Sequence, residues 1–205
     1  MTAPDSRPAS DRDRLIALLA TRSAKQGDFV LASGRRSSLY VDCRITTMSP
    51  EGQLLIGREG LRMLRGTGWD IDAIGGLTLG ADPVSYAIAH ASARASEAGT
   101  DTRPMLRAFT VRKEAKSHGT GRLIEGPFAS GDHVVVIEDV ITTGGSALKA
   151  AESVRSAGGQ VLGVLALVDR EEGGREALAA AGLETLAVVG ASELVKLIPS
   201  GRGKA

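Results

Sequence analysis

Residues 134–146 read VVVIEDVITTGGS. Four branched apolar residues, Val134 to Ile137, fit a strand buried on both faces. Glu138 and Asp139 then put two acids at the strand's end. Thr142, Thr143, Gly144, Gly145 and Ser146 follow and open a helix expected over 145–157. Glycines let the backbone turn tightly, so several N–H groups point into one concavity. The helix N-terminus adds partial positive charge, and the Thr and Ser hydroxyls add donors, which together make a phosphate cradle. The acids would repel a phosphate lying on them, but they accept strong hydrogen bonds from hydroxyls on a sugar attached to it. The stretch therefore reads as a ribose 5-phosphate site. An Asp before a glycine turn ends many buried strands, so Asp139 alone carries little; the whole string carries the reading. Neither common nucleotide fingerprint is present: there is no G-x-x-x-x-G-K-[ST], and no G-x-G-x-x-G lies between a strand and a helix.

Outward from this stretch, strand and helix patterns alternate. Strands are expected at 71–74, 105–111, 161–168 and 186–189, and helices at about 82–95, 172–181 and 192–197. Continuous apolar strands joined by helices predict an α/β fold with a central parallel sheet covered on both faces. Ligands of such sheets bind at the carboxyl ends of the strands, and several of those ends here are polar or glycine-rich: Gly75-Gly76, Arg112-Lys113, Glu138-Asp139 and Asp169-Arg170. Upstream, a helix is expected over 11–24, two short strands within 28–45 around the turn at 33–36, and a helix over 50–64 with Ser49 as cap and Pro50 at its first position.

The 205 residues suit one such domain with additions, and a formal net charge of +1 gives no global field toward nucleic acid or a membrane surface. One cysteine, Cys43, excludes an internal disulfide and a Cys-rich metal site and fits a reducing cytoplasm. No apolar run approaches the roughly 20 residues of a membrane span, and the polar start has no signal core. Residues 1–10 and 199–205 read as a disordered arm and tail. Lone His90 and His133 read as structural.

The segment 112–121, RKEAKSHGTG, sets Arg112, Lys113, Lys116 and His118 within seven residues, followed by Gly119 and Gly121. Most charge runs are solvated surface. The functional alternative is a closing lid, part of a long irregular stretch over about 112–131. It would bring positive charge to a departing pyrophosphate and exclude water from a reactive sugar.

Residues 134–146 resemble the phosphoribosyl pyrophosphate motif of the type I phosphoribosyltransferases, with Glu as the first acid. The order R-K-x-x-K-x-H-G resembles the catalytic loop of the orotate phosphoribosyltransferases. Residues 29–42, FVLASGRRSSLYVD, resemble that family's N-terminal hood, F-x-L-x-S-G-R-x-S-x-x-Y. Residues 168–174, VDREEGG, match its strand end D-R-x-E, and 75–85 stand in the place of its pyrophosphate loop. The resemblance runs from about 11 to 198. It implies the type I fold, with a hood at about 25–45 on a core at about 50–198. It also implies transfer of phosphoribosyl from phosphoribosyl pyrophosphate to orotate, with Mg²⁺ held through substrate oxygens and water rather than by a protein cage, in a homodimer whose catalytic loop is shared across the interface. On the match, Lys116 and His118 are the catalytic-loop residues, His118 either moving a proton or only binding, while Arg112 and Lys113 contact pyrophosphate. Glu138 and Asp139 hold the ribose; Thr142 to Ser146, with Leu79 and Gly80, hold the phosphates. Arg170, Tyr40, Lys25 and Thr142 meet orotate. Two family lysines are replaced, by Ala32 before the hood's S-G-R and by Gly80 in the pyrophosphate loop, where many members carry Tyr-Lys. A phosphoribosyltransferase for another base, and a sensor of phosphoribosyl pyrophosphate without catalysis, are the alternative readings.

Overall fold

The structure is a computed structural model and describes residues 9–30, 36–114 and 123–198. The chain folds as α1 (Asp11–Leu18), β1 (Ala24–Val30), β2 (Arg36–Val41), α2 (Arg44–Thr47), α3 (Pro50–Gly66), β3 (Ala73–Leu77), α4 (Ala81–Glu97), β4 (Arg107–Val111), β5 (Ile124–Glu125), β6 (His133–Ile141), α5 (Gly145–Ser156), β7 (Gln160–Asp169), α6 (Gly174–Ala180), β8 (Glu184–Gly190) and α7 (Ala191–Val195). Six strands form the main sheet in the order β5-β4-β3-β6-β7-β8, all parallel except β5, which runs antiparallel on one edge. This is the α/β class expected.

The period-two geometry of β6 sorts its apolar run between the two faces. Val135 and Ile137 join the core under α1, α3 and α4, with Leu15, Leu55, Ile56 and Ile88. Val134 and Val136 join the core under α5 and α6, with Ala147, Val154 and Leu178. Both faces are thus dry, which explains an unbroken apolar strand where a half-exposed one would alternate. Helix starts follow the caps read from the sequence. Ser49 Oγ accepts from Gly52 N at 3.1 Å ahead of Pro50, and Ser10 closes a capping box with Asp13.

Several boundaries differ from expectation. The first helix stops at Leu18 and continues as a π-helical turn over Leu19–Ser23, closed by Ala24 N donating to Leu19 O. That wider turn redirects the chain into β1, which starts at 24 rather than 28. A short helix, α2, follows the hood directly; its four residues are too few to show a period. Residues 124–125 pair with β4 inside the stretch expected to be irregular to 131, because Thr110 and Val111 present an open strand edge to Glu125 and Ile124. Finally, β6 runs on to Ile141, so the two acids lie within the strand and not beyond it.

The hood is the antiparallel pair β1–β2, with an irregular register between Gln26 and Phe29. It is tied to the core by Gln26 Nε2 donating to Val195 O at 3.4 Å and by Arg170 donating to Ser37 Oγ at 2.8 Å, while Ser23 Oγ and Thr46 Oγ1, at 2.7 Å, join the turns that flank it. No helix among the described residues is long and apolar enough to cross a membrane.

Candidate active site

The strand order changes direction between β3 and β6: the chain leaves β3 for β4 on one side and returns to β6 on the other. At such a switch point the loops after the two strands diverge and leave a crevice. Here it is an open cleft of about 380 Å³, lined by Leu77 to Gly80 after β3, Glu138 to Val140 on β6, Thr142 and Ser146 after it, Lys113 after β4, Arg170 after β7, and Tyr40 to Arg44 from the hood and α2.

One end of the cleft is built from β6 and the loop after it. Gly144 takes φ +80°, a left-handed conformation that lets the chain turn into α5. A Cβ there would also come within 3.0 Å of Gly174 O, so the position is confined twice over. Glu138 is buried, and its Oε2 meets no partner among the described residues. Burial, and then the neighbouring Asp139 charge, push its carboxyl up to about 9. Asp139 Oδ1 accepts from Val140 N at 2.9 Å. A buried acid with one carboxyl oxygen still unpaired, facing a cleft, can take a donor from a ligand.

A carboxyl pushed up in this way is expected to hold its proton at neutral pH in the ligand-free protein. Hydroxyl donors and positive charge brought by a ligand would favour the ionised form, so ligand binding between about pH 5 and 9 is expected to release close to one proton. Calorimetric titration of phosphoribosyl pyrophosphate with magnesium, in buffers of different ionisation enthalpy, reads this directly. Glu138→Gln should abolish the release. The sign for stability follows. The folded protein binds this proton more tightly than the unfolded chain, so the contribution of Glu138 falls as pH rises through that window, and Glu138→Gln should narrow the loss.

Another side of the cleft is set by the loop after β3. Thr78–Leu79 is a cis peptide, and Leu79 is exposed. Thr78 Oγ1 donates to Asp82 Oδ2 at 2.7 Å, and Thr110 Oγ1 donates to Asp82 Oδ1 at 2.8 Å. Asp82, in the first turn of α4, thus ties this loop to β4, the strand that leads to Arg112 and Lys113. Lys113 lines the cleft, and its carbonyl accepts from Lys149 Nζ at 2.8 Å. Arg112 does not line it: Nη1 lies 3.7 Å from Glu125 Oε1 on β5. Lys116 and His118, like Ala32, lie outside the described residues.

A further side of the cleft lies between the hood and β7. Arg170 is buried where the chain leaves β7, its N–H donating to Ile141 O at 2.9 Å. The turn that aims it is held by Asp169, which accepts from Glu171 N at 2.8 Å and Arg175 Nε at 3.2 Å. Glu171 takes φ 56°, left-handed for a non-glycine residue, and its carboxylate holds Ser192 N and Oγ at 3.0 and 2.9 Å. Tyr40 lines the cleft and its ring lies 5.5 Å from that of Phe29. Lys25 is opposite Tyr40 in the hood ladder but is not a lining residue; Thr143, Gly144 and Gly145 shape the loop without lining it.

Sequence reasoning missed Thr78, Asp82, Asp42 and Arg44. Arg44 Nε and Nη2 meet the Asp42 carboxylate at 2.8 and 2.9 Å, which holds that acid below the usual range. The sequence signal available for them was the pair Asp42-x-Arg44 directly after the hood strand; for Asp82, a helix-starting acid four residues after Thr78, there was none.

Among the described residues no three His, Cys, Asp or Glu side chains gather into a metal cage. The acid oxygens in the cleft beyond the Arg44-bound Asp42 are those of Glu138 and Asp139. That donor set fits a magnesium ion carried in on substrate oxygens and water, which needs few protein ligands.

No family model matches the chain. It is 45% identical over 188 residues to an orotate phosphoribosyltransferase of Aquifex aeolicus, covering 90% of this chain and 98% of the relative. Among solved structures it is similar to Mycobacterium tuberculosis orotate phosphoribosyltransferase in complex with Fe(III) dicitrate, at 43% identity and TM-score 0.76, covering 90% of this chain and 99% of that one. The same enzyme in complex with 5-phospho-alpha-D-ribosyl 1-diphosphate matches at 38% identity and TM-score 0.70, covering 90% and 91%.

Proposed function

The chain belongs to the orotate phosphoribosyltransferases, and we propose from that membership how its cleft divides the work. The reaction is transfer of phosphoribosyl from phosphoribosyl pyrophosphate to orotate, giving orotidine 5-monophosphate and pyrophosphate in pyrimidine biosynthesis. The observation that carries the division is the convergence, at one switch point, of a sugar-phosphate loop, a pyrophosphate loop and a hood-covered arginine.

As the bond from the anomeric carbon to pyrophosphate breaks, positive charge develops on the ribose ring and negative charge on the leaving group. Glu138 and Asp139 hold the 2- and 3-hydroxyls and offset the ring's charge. N–H groups and hydroxyls of 142–146 hold the 5-phosphate at the start of α5. Backbone of 78–80 and Lys113 receive the pyrophosphate, joined by Lys116 and His118. Arg170 meets the orotate carboxylate, and Tyr40 and Phe29 cover the ring. Magnesium, when bound, supplies positive charge to the pyrophosphate oxygens. We place the enzyme in the cytoplasm as a homodimer whose loop reaches the partner's cleft, with no role for nucleic acid.

The test follows loss of orotate absorbance on adding phosphoribosyl pyrophosphate and magnesium, with adenine, hypoxanthine and uracil in parallel. Turnover of orotate alone is expected. Turnover of another base instead would overturn the base assignment, and tight binding of phosphoribosyl pyrophosphate without turnover would mean a sensor.

A further inference from the structure

Arg170 does not reach the cleft as a lone side chain. Its Nη2 donates to Glu172 Oε1 at 2.7 Å and to Ser37 Oγ at 2.8 Å. An Nη nitrogen carries two hydrogens, so both are engaged. With two directions fixed from one nitrogen, the plane of the guanidinium is set. One anchor, Glu172, lies two residues along the same turn. The other, Ser37, comes from β2 in the hood, 133 residues away in sequence.

The geometry of Ser37 shows why a serine serves. Its hydroxyl donates to Leu39 O at 2.9 Å, two residues along its own strand, and accepts from Leu39 N at 3.2 Å. The single hydroxyl hydrogen is committed to the hood's backbone, so the oxygen turns its remaining acceptor capacity to Arg170. The hydroxyl's direction is therefore decided by the hood, and through it the direction of the guanidinium. Bidentate recognition of a carboxylate depends on that plane more than on charge alone.

We propose that Ser37, with Glu172 as second anchor, is a positioning residue that fixes the Arg170 plane, and so sets how strongly the enzyme distinguishes a carboxylate-bearing pyrimidine from its uncharged counterpart. The proposal rests on Arg170 meeting the orotate carboxylate. Neither anchor touches the reacting atoms; each acts through Arg170.

The experiment compares KM and kcat for orotate with the inhibition constant of orotamide, which keeps the ring and replaces the carboxylate by a neutral amide. Losing one hydrogen bond to a charged group should raise the orotate KM of Ser37→Ala about tenfold, with kcat and the KM for phosphoribosyl pyrophosphate nearly unchanged and orotamide inhibition unaffected. Ser37→Thr keeps the hydroxyl and should restore most of the loss; Glu172→Ala should follow Ser37→Ala. Gln26→Ala is the control for hood docking, because it removes a hood–core hydrogen bond that does not involve Arg170. An equal rise of the orotate KM in Gln26→Ala, or an equal weakening of orotamide in Ser37→Ala, would overturn the proposal, since either means a loosened hood. Arg170→Ala separates the premise. If that variant still prefers orotate to orotamide as the wild type does, Arg170 does not read the carboxylate, whatever Ser37 does. If it loses the preference and Ser37→Ala keeps it, the premise stands and the positioning role falls.

Discussion

Lys116→Ala is expected to lower kcat by about 10²–10³-fold while circular dichroism and thermal unfolding stay close to wild type. The cleft explains why so much should hang on one side chain. Its described cations are Arg44, Lys113 and Arg170. Arg44 is held by both oxygens of Asp42, and Arg170 by Glu172 and Ser37 at the base end. Arg112 is turned toward Glu125. On the proposed division, Lys113 is the one described lining cation left to meet a pyrophosphate whose negative charge grows as the bond breaks. The loop after β3 offers backbone, Leu79 and Gly80 to the cleft, and no cation. On that division, further stabilisation of the leaving group is expected from the segment beyond Lys113, where Lys116 is the next cation. The loss should fall on kcat more than on KM, because the charge it meets develops in the transition state. Near-normal kcat in Lys116→Ala would remove this segment from the chemistry. Mixing that variant with Asp139→Asn tests the shared loop. If Lys116 acts in the partner's cleft, hybrid dimers regain one intact site and activity recovers; no recovery after confirmed subunit exchange would mean a loop acting in its own subunit.

The parallel core was legible because both of its signals are local: branched apolar runs, and glycine or serine at helix ends. Val134–Ile137 could not be mistaken for a half-exposed strand, and 142–146 announced its loop by composition. What was not legible depends on partners distant in sequence. Asp82 matters because Thr78, just after β3, and Thr110 on β4 both donate to it, and Ser37 because Arg170, 133 residues away in sequence, donates to it. The extension of β6 through Glu138 and Asp139 was missed for a related reason. Acids read as a strand's end unless the neighbouring strand is known to continue, and β7 does, pairing as far as Asp169. Arg112 shows the converse. A motif placed it among cations for pyrophosphate, whereas the β4–β5 pairing, invisible in sequence, supplies it with Glu125.

Gly80 gives the second large effect, and it runs against the simplest reading of a missing lysine. Its φ of −61° is open to any residue, so conformation does not require glycine there. Proximity does. A Cβ at position 80 would lie 2.5 Å from Asp139 Oδ1, 2.7 Å from Cγ and 2.9 Å from Oδ2. The carboxylate cannot easily retreat, because Oδ1 is held by Val140 N and Glu138 lies next to it in the chain. Any side chain must therefore shift either the pyrophosphate loop or the acid that faces the ribose. Displacement of a reacting group by about 1 Å costs about 10²-fold, so Gly80→Ala should lower kcat/KM for phosphoribosyl pyrophosphate by about that factor. Gly80→Lys should also lower it, despite adding a cation, because the clash comes from the first carbon of the side chain and not from its charge. Steady-state kinetics on the two variants separates sterics from charge. If lysine at 80 tightens phosphoribosyl pyrophosphate while alanine weakens it, the loop has room and the absent cation is a deficit of this enzyme. If both weaken it, glycine at 80 and aspartate at 139 are a matched pair, and the positive charge lost from this loop has to be supplied by the segment that carries Lys116.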